Sequence, residues 1–286
     1  MIYYYAHTGH KVGLERARRG VTVLRQLEAA GREVQLLVND FRAGVAMKEE
    51  QGLKDYVNIE TVQDIDAIAQ MGDSVIIDSD EDDHGRLVKY CADFKTVYRF
   101  AHDEKDVSIH GETLFRPDCH NPECEEAVIV DAQYFEKTSK TERVLFFLRD
   151  YDHDKTILNN ADFFRQFDME LLLGHYFFVK YENDLEKLFY RLHEPEEYTE
   201  LLSTSTTVVT ASAQAAVEAK ASGVKVIFML LEKQKPLYPA ALLQAFGIDV
   251  VDGFDVSALD AALKKENPEA TKALHAFSAD ALLKEI

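Results

Sequence analysis

The stretch Ile2-Tyr3-Tyr4-Tyr5-Ala6-His7-Thr8-Gly9-His10-Lys11-Val12-Gly13-Leu14-Glu15-Arg16 decides the fold. An apolar, aromatic run enters a glycine-bearing turn. Beyond it Val12, Leu14, Ala17, Val21, Leu24, Leu27 and Ala30 recur at helical spacing. This is the first strand-to-helix turn of an α/β domain, and such turns lie at the carboxyl edge of a sheet, where open α/β folds bind ligands. Gly9 lets the backbone approach a ligand closely, and the leading amides of a helix attract anions. His10 follows that glycine, and an imidazole is the side chain best suited to proton transfer near neutral pH. His10 is thus a candidate for proton transfer, the alternative being that His7 and His10 merely cap the turn, and Arg16 among the following basic residues suits a small anion at the helix start.

Working outward, the same alternation repeats. Short apolar runs at 34–38, 56–59, 74–78 and 96–100 read as strands, with helices at 41–51, 61–71 and 84–92 between them. Residues 105–126 are irregular, and Ala127-Val128-Ile129-Val130 reads as the last strand of this half. Alternating strands and helices imply right-handed βαβ units and a mostly parallel sheet. The polar stretch 131–142 reads as a linker. A second alternation then opens with the strand 143–148 and the turn Arg149-Asp150-Tyr151-Asp152-His153-Asp154. A helix is expected over 155–166, one or two strands over 169–181, a charged helix over 182–192 and a further segment over 195–202. The strand Thr206-Thr207-Val208-Val209-Thr210 runs into the small-residue turn Ala211-Ser212-Ala213, the counterpart of the opening turn. Strands at 224–229 and 248–251, the loop Glu232-Lys233-Gln234-Lys235-Pro236, and helices over 237–246 and 255–286 complete the pattern. The expected architecture is two α/β lobes, residues 1–135 and 143–286.

Composition narrows the function. The 286 residues carry 32 basic and 51 acidic side chains, a formal charge of −19, which repels a nucleic acid. No apolar run approaches the roughly 20 residues of a membrane span, and the opening residues lack a secretory pattern. The expectation is a cytoplasmic protein with no membrane insertion. Three cysteines in such a chain point to reduced thiols. Cys119, His120 and Cys124 offer three soft ligands, one short of a structural zinc set, and are not assigned a metal. The acidic loop Asp78-Ser79-Asp80-Glu81-Asp82-Asp83-His84 reads as a solvated helix start, with magnesium as the functional alternative. No cofactor is implied, and the oligomeric state stays open.

Four places together resemble small GT-B proteins, most closely the nucleotide-sugar hydrolase of the pseudaminic-acid pathway in bacteria that glycosylate flagellin. They are Gly9-His10 with Arg16, the strand end Ile76-Ile77-Asp78, the run Val209-Thr210-Ala211-Ser212 through Glu218-Ala219, and the strand from Ile227 leading to Gln234. The resemblance implies two Rossmann-like lobes with parallel sheets facing a cleft. It implies hydrolysis of a nucleotide-linked sugar, a UDP-sugar, with His10 acting as base and an acid from the Asp78 loop assisting. Thr210, Ser212, Glu218 and Gln234 would lie on the nucleotide side. Family members place a glycine pair after the first strand of the second lobe. Here Arg149 and two acids stand in that turn, so Arg149 would have to meet the diphosphate charge. The same fold also serves glycosyl transfer, and a non-catalytic binding or scaffold protein of the same pathway is the reading from another class.

Overall fold

The computed structural model describes the chain except residues 104, 118, 120–123, 178–179 and 232–236. It divides into two compact units, Met1–Ile129 with Phe277–Ile286, and Val130–Ala276.

The first unit holds β1 (Ile2–Ala6), α1 (Glu15–Ala29), β2 (Val34–Val38), α2 (Phe41–Gln51), β3 (Tyr56–Asn58), β4 (Ser74–Asp78), α3 (Arg86–Asp93), β5 (Thr96–Phe100), β6 (Thr113–Arg116) and β7 (Cys124–Glu126). Its strands run in the order β3-β2-β1-β4-β5-β6-β7 and are parallel throughout. β1 and β4 are buried at every residue, as central strands covered on both faces must be. Tyr3, Tyr5, Val75, Ile77, Leu87 and Tyr90 form part of the core on one face.

The second unit opens with β8 (Thr141–Phe147), followed by α4 (Thr156–Asn159), α5 (Ala161–Phe164), β9 (Glu170–Leu172), α6 (Glu182–Leu185), β10 (Arg191–His193) and α7 (Tyr198–Thr204). Then come β11 (Ser205–Thr210), α8 (Ala213–Ala221), β12 (Lys225–Leu230), α9 (Ala240–Ala245), β13 (Asp249–Asp252) and α10 (Val256–Lys264). The parallel order β10-β9-β8-β11-β12-β13 repeats the order of the first six strands of the first unit. In both units the order reverses direction beside the first strand, between β1 and β4 and between β8 and β11. Ligands of doubly wound sheets bind outside the carboxyl ends of the strands at that switch point.

Several expectations are corrected. Ala127–Val130 is buried but joins no ladder; the strands of this region are the shorter β6 and β7. Its apolar character serves a buried connector. The charged helix expected over 182–192 stops at Leu185, and Arg191–His193 pairs with β9 instead. The closing helices are α10 and the short α11 (Leu282–Glu285), with no helix across 266–281. Pro268 lies just beyond α10, where it cannot continue a helix. Cys119 and Cys124 are joined in a disulfide with Cα atoms 5.7 Å apart, within ordinary bridging distance. That overturns the reading of reduced thiols for this pair, while Cys91 is a free thiol; the compartment argument ignored that strand pairing draws β7 back alongside the end of β6.

Candidate active site

At the first switch point, β1 delivers His7 and β4 delivers Ser79-Asp80. Ala6 pairs with Asp78, and the His7 amide extends the ladder by donating to the Asp78 carbonyl at 3.0 Å. Thr8 anchors the turn to the end of β2 by donating its amide and hydroxyl to Asn39 Oδ1 at 2.7 and 3.0 Å. The chain then swings through Gly9, whose φ of +141° suits only glycine although a Cβ there would meet open space. The Gly9 carbonyl accepts from the amides of Val12 and Gly13, and α1 follows with no side-chain cap at its N-terminus.

These constraints bring three side chains together. Asp80 Oδ1 lies 2.8 Å from His7 Nδ1 and 2.7 Å from Arg16 Nη1. The hydrogen bond from His7, followed by that from Arg16 and the charge of its guanidinium, holds the Asp80 carboxyl well below the usual carboxylate range. His7 Nδ1 also lies 3.1 Å from Arg16 Nη1; a carboxylate only accepts, so toward Asp80 the imidazole is the donor. The His7 side chain is 20% exposed. Asp80 and Arg16 thus hold the ring through Nδ1 and leave its other nitrogen outside these contacts.

Asp78 stands differently. Its carboxylate is 1% exposed and accepts from Arg19 Nη2 at 2.7 and 2.9 Å, Arg19 Nε at 3.1 Å and the Tyr4 hydroxyl at 2.8 Å. It is a buried clamp between β4, α1 and β1, beneath the turn and not at its mouth. His10 is exposed, and Arg42 Nη2 donates to its Nε2 at 2.9 Å. That contact occupies the lone pair a base would use. Gly9 and Arg16 lie in the same turn and first helical turn as His7; His10 sits on the outer side of the turn beside α2.

At the second switch point, Phe147 pairs with Thr210, which brings Arg149 and Ser212 level on neighbouring strand exits. Arg149 stacks over the Tyr151 ring at 4.8 Å and donates to its hydroxyl at 3.1 Å. Asp152 is spent on local structure, accepting from the amides of Thr156 and Ile157 and from the Tyr181 hydroxyl at 2.6 Å. Thr210 Oγ1 accepts the Ser212 amide, and Ser212 Oγ accepts the Ala215 amide, capping α8. Glu218 is 3% exposed: one oxygen accepts from the Tyr198 hydroxyl at 2.6 Å, the other from Gln214 Nε2 at 2.8 Å. Tyr238 closes the chain of bonds by donating to Gln214 Oε1 at 2.8 Å. The sequence reading placed Glu218 within reach of a ligand or in solvent, whereas α8 is buried around its whole circumference there. A close backbone approach fixes the turn, since a Cβ on Gly174 would fall 2.4 Å from the Asp150 carbonyl. Gln234 and His120 lie outside the described residues.

Sequence reasoning missed His7 as the oriented imidazole and Asp80 as its partner. Their signal was the strand order: once β1 and β4 are neighbours, residues one and two places past their ends must meet. Among the described residues no group of three or more His, Cys, Asp and Glu side chains is placed to hold a metal ion, and no helix is long and apolar enough to cross a membrane.

The fold is that of the GT-B proteins, two α/β units built on parallel sheets. Among solved structures the chain is similar to UDP-GlcNAc 2-epimerase of Methanocaldococcus jannaschii, crystallised with UDP-GlcNAc and UDP. That match has 15% identity and a TM-score of 0.54, covering 94% of this chain and 95% of that one. It is also similar to the spinosyn rhamnosyltransferase SpnG in complex with spinosyn aglycone, at 13% identity and a TM-score of 0.57, covering 100% and 95%. A glycosyltransferase of Rickettsia africae ESF-5 matches at 10% identity and a TM-score of 0.53, covering 92% and 87%. No family model and no curated protein matches the sequence. Likeness at these identities speaks to the fold.

Proposed function

We propose that this chain is an enzyme that processes a nucleotide-linked sugar, with His7 as the general base and Asp80 orienting it. The single observation carrying this reading is the His7–Asp80–Arg16 arrangement at the switch point of a GT-B-type unit. The ligand class is supported by the neighbours of the same fold, one of them a UDP-GlcNAc epimerase and another a rhamnosyltransferase. The reaction we favour is hydrolysis in bacterial surface-glycan or flagellin-glycan synthesis, in line with the resemblance carried by Gly9-His10 and the run through Glu218. His7 Nε2 takes a proton from water. The water oxygen bonds to the anomeric carbon as that carbon's bond to the diphosphate oxygen breaks, and the nucleoside diphosphate leaves as an anion. Transfer to an acceptor hydroxyl would use the same base. At the switch point of the second unit, Arg149 is the cation we assign to an anionic ligand.

The test is product analysis with UDP-N-acetylglucosamine, UDP-glucose and dTDP-glucose, with and without added acceptors, for wild type, His7→Ala and His10→Ala. The expected result is free sugar and nucleoside diphosphate from wild type and His10→Ala, and none from His7→Ala. Full activity in His7→Ala would remove it from the mechanism. One observation favours a non-catalytic binding or scaffold role instead: Ser212 and Glu218 are turned inward on their own lobe. Calorimetric titration with UDP separates the two, because no heat at millimolar UDP would leave only the scaffold.

A further inference from the structure

The β5 exit lies beside the β4 exit. Ile77 pairs with Arg99, and carrying that register past both strand ends sets Asp80 level with His102. His7, Asp80 and His102 thus leave three adjacent strands, β1, β4 and β5, at one sheet edge. The His102 segment is tied in place: its amide donates to Asp106 Oδ2 at 3.1 Å, and Asp106 is held by Arg99 Nη1 and Nη2 at 2.7 and 2.9 Å. Arg99 is gripped in turn by Glu112. His102 is exposed, while its ring is close enough to Arg16, Asp78, Asp80 and Asp106 to feel their charges. The protein around the ring and then the Arg16 guanidinium push its pKa below the ordinary imidazole value. That shift favours the uncharged ring, which has one N–H to donate and one lone pair to accept.

We propose that His102 is a second imidazole of this centre and hydrogen-bonds a hydroxyl of the sugar as it lies against His7. This rests on the nucleotide-sugar reading above. The pairing around it chooses the partner: Arg19, Arg16 and Arg99 are engaged by Asp78, Asp80 and Asp106, so their charge is already met within the protein, whereas a neutral hydroxyl can both donate to and accept from an uncharged ring. The diphosphate would then lie away from this edge and the sugar ring over it. A site that hydrogen-bonds a substrate hydroxyl discriminates strongly against analogues lacking it.

The experiment is steady-state kinetics of wild type, His102→Ala and His102→Gln on whichever of UDP-N-acetylglucosamine, UDP-glucose and dTDP-glucose turns over, with UDP affinity measured by calorimetry on the same proteins. His102→Ala should raise KM about 10-fold or more, change kcat less than about 3-fold and leave UDP affinity unchanged. His102→Gln, whose amide donates and accepts without charge, should recover most of the loss. An unchanged KM in His102→Ala, or a matching loss of UDP affinity, overturns the assignment while leaving the nucleotide-sugar reading intact. No turnover and no UDP binding by wild type overturns both.

Discussion

The two switch points have one topology and opposite chemistry. One residue past the last paired position, the first unit has His7 where the second has Leu148, which is 1% exposed. Two residues past it on the neighbouring strand, the first unit has Asp80 where the second has Ser212, spent on capping α8. The first edge keeps an imidazole and a carboxylate for a visitor. At the second, Asp152, Ser212, Gln214 and Glu218 spend their polar atoms within the unit. A duplicated sheet order therefore says where a site can be, and only the residues at those exits say whether one is there.

Breaking the first edge should have the largest effect. His7→Ala is expected to lower turnover about 10²–10⁴-fold, the usual range for a positioned base, with the melting temperature almost unmoved; a large thermal shift would make His7 structural. Asp78→Asn strands the Arg19 charge in the core, and loss of one partner of a buried pair costs about 3–5 kcal/mol, read by denaturant unfolding. Stability within about 1 kcal/mol of wild type would contradict the buried clamp. On the second edge, Glu218→Ala removes the acceptor of the Tyr198 hydroxyl and the Gln214 amide and should cost about 1–3 kcal/mol. Measured UDP affinity sharpens this, since a variant that stays stable and loses UDP would restore Glu218 as a ligand contact. Ser212→Ala removes a helix cap, about 1 kcal/mol, visible as a small fall in melting temperature.

The smallest effect concerns acid. The folded Asp80 carboxyl titrates below its ordinary 3.8, so its contribution is fully present above that pH and fades as pH falls through the depressed folded value. Because Asp80 is 51% exposed, solvent screening limits the contribution to less than about 1 kcal/mol. Acid unfolding curves of wild type and Asp80→Asn should converge below pH 3.8 and separate slightly above it.

β1, β4 and β12 were legible because their centres are buried, so each carries an apolar run, at 2–6, 75–77 and 226–230, and β11 was legible from Val208 and Val209 among β-branched threonines. Edge strands such as β7, Cys124–Glu126, and β10, Arg191–His193, are three residues long and mostly polar, too short for a period to show. Ala127–Val130 misled for the converse reason: burial makes a segment apolar whether or not it pairs. Gly9 and Arg16 could be placed together from the sequence because a turn and its helix are local. The partnership of His7 with Asp80 spans 73 positions and needs the sheet order first. Glu218 was misplaced because the groups that enclose it, Tyr198 and Tyr238, arrive from segments 20 residues away on either side.

The final ten residues rejoin the first unit, where Arg32 donates to the Ile286 carbonyl at 3.0 Å and Tyr98 to Glu285 at 2.8 Å. The amino-terminal sheet is thus braced by residues 254 and 187 positions further along the chain, contacts that a fragment ending at residue 135 would lack.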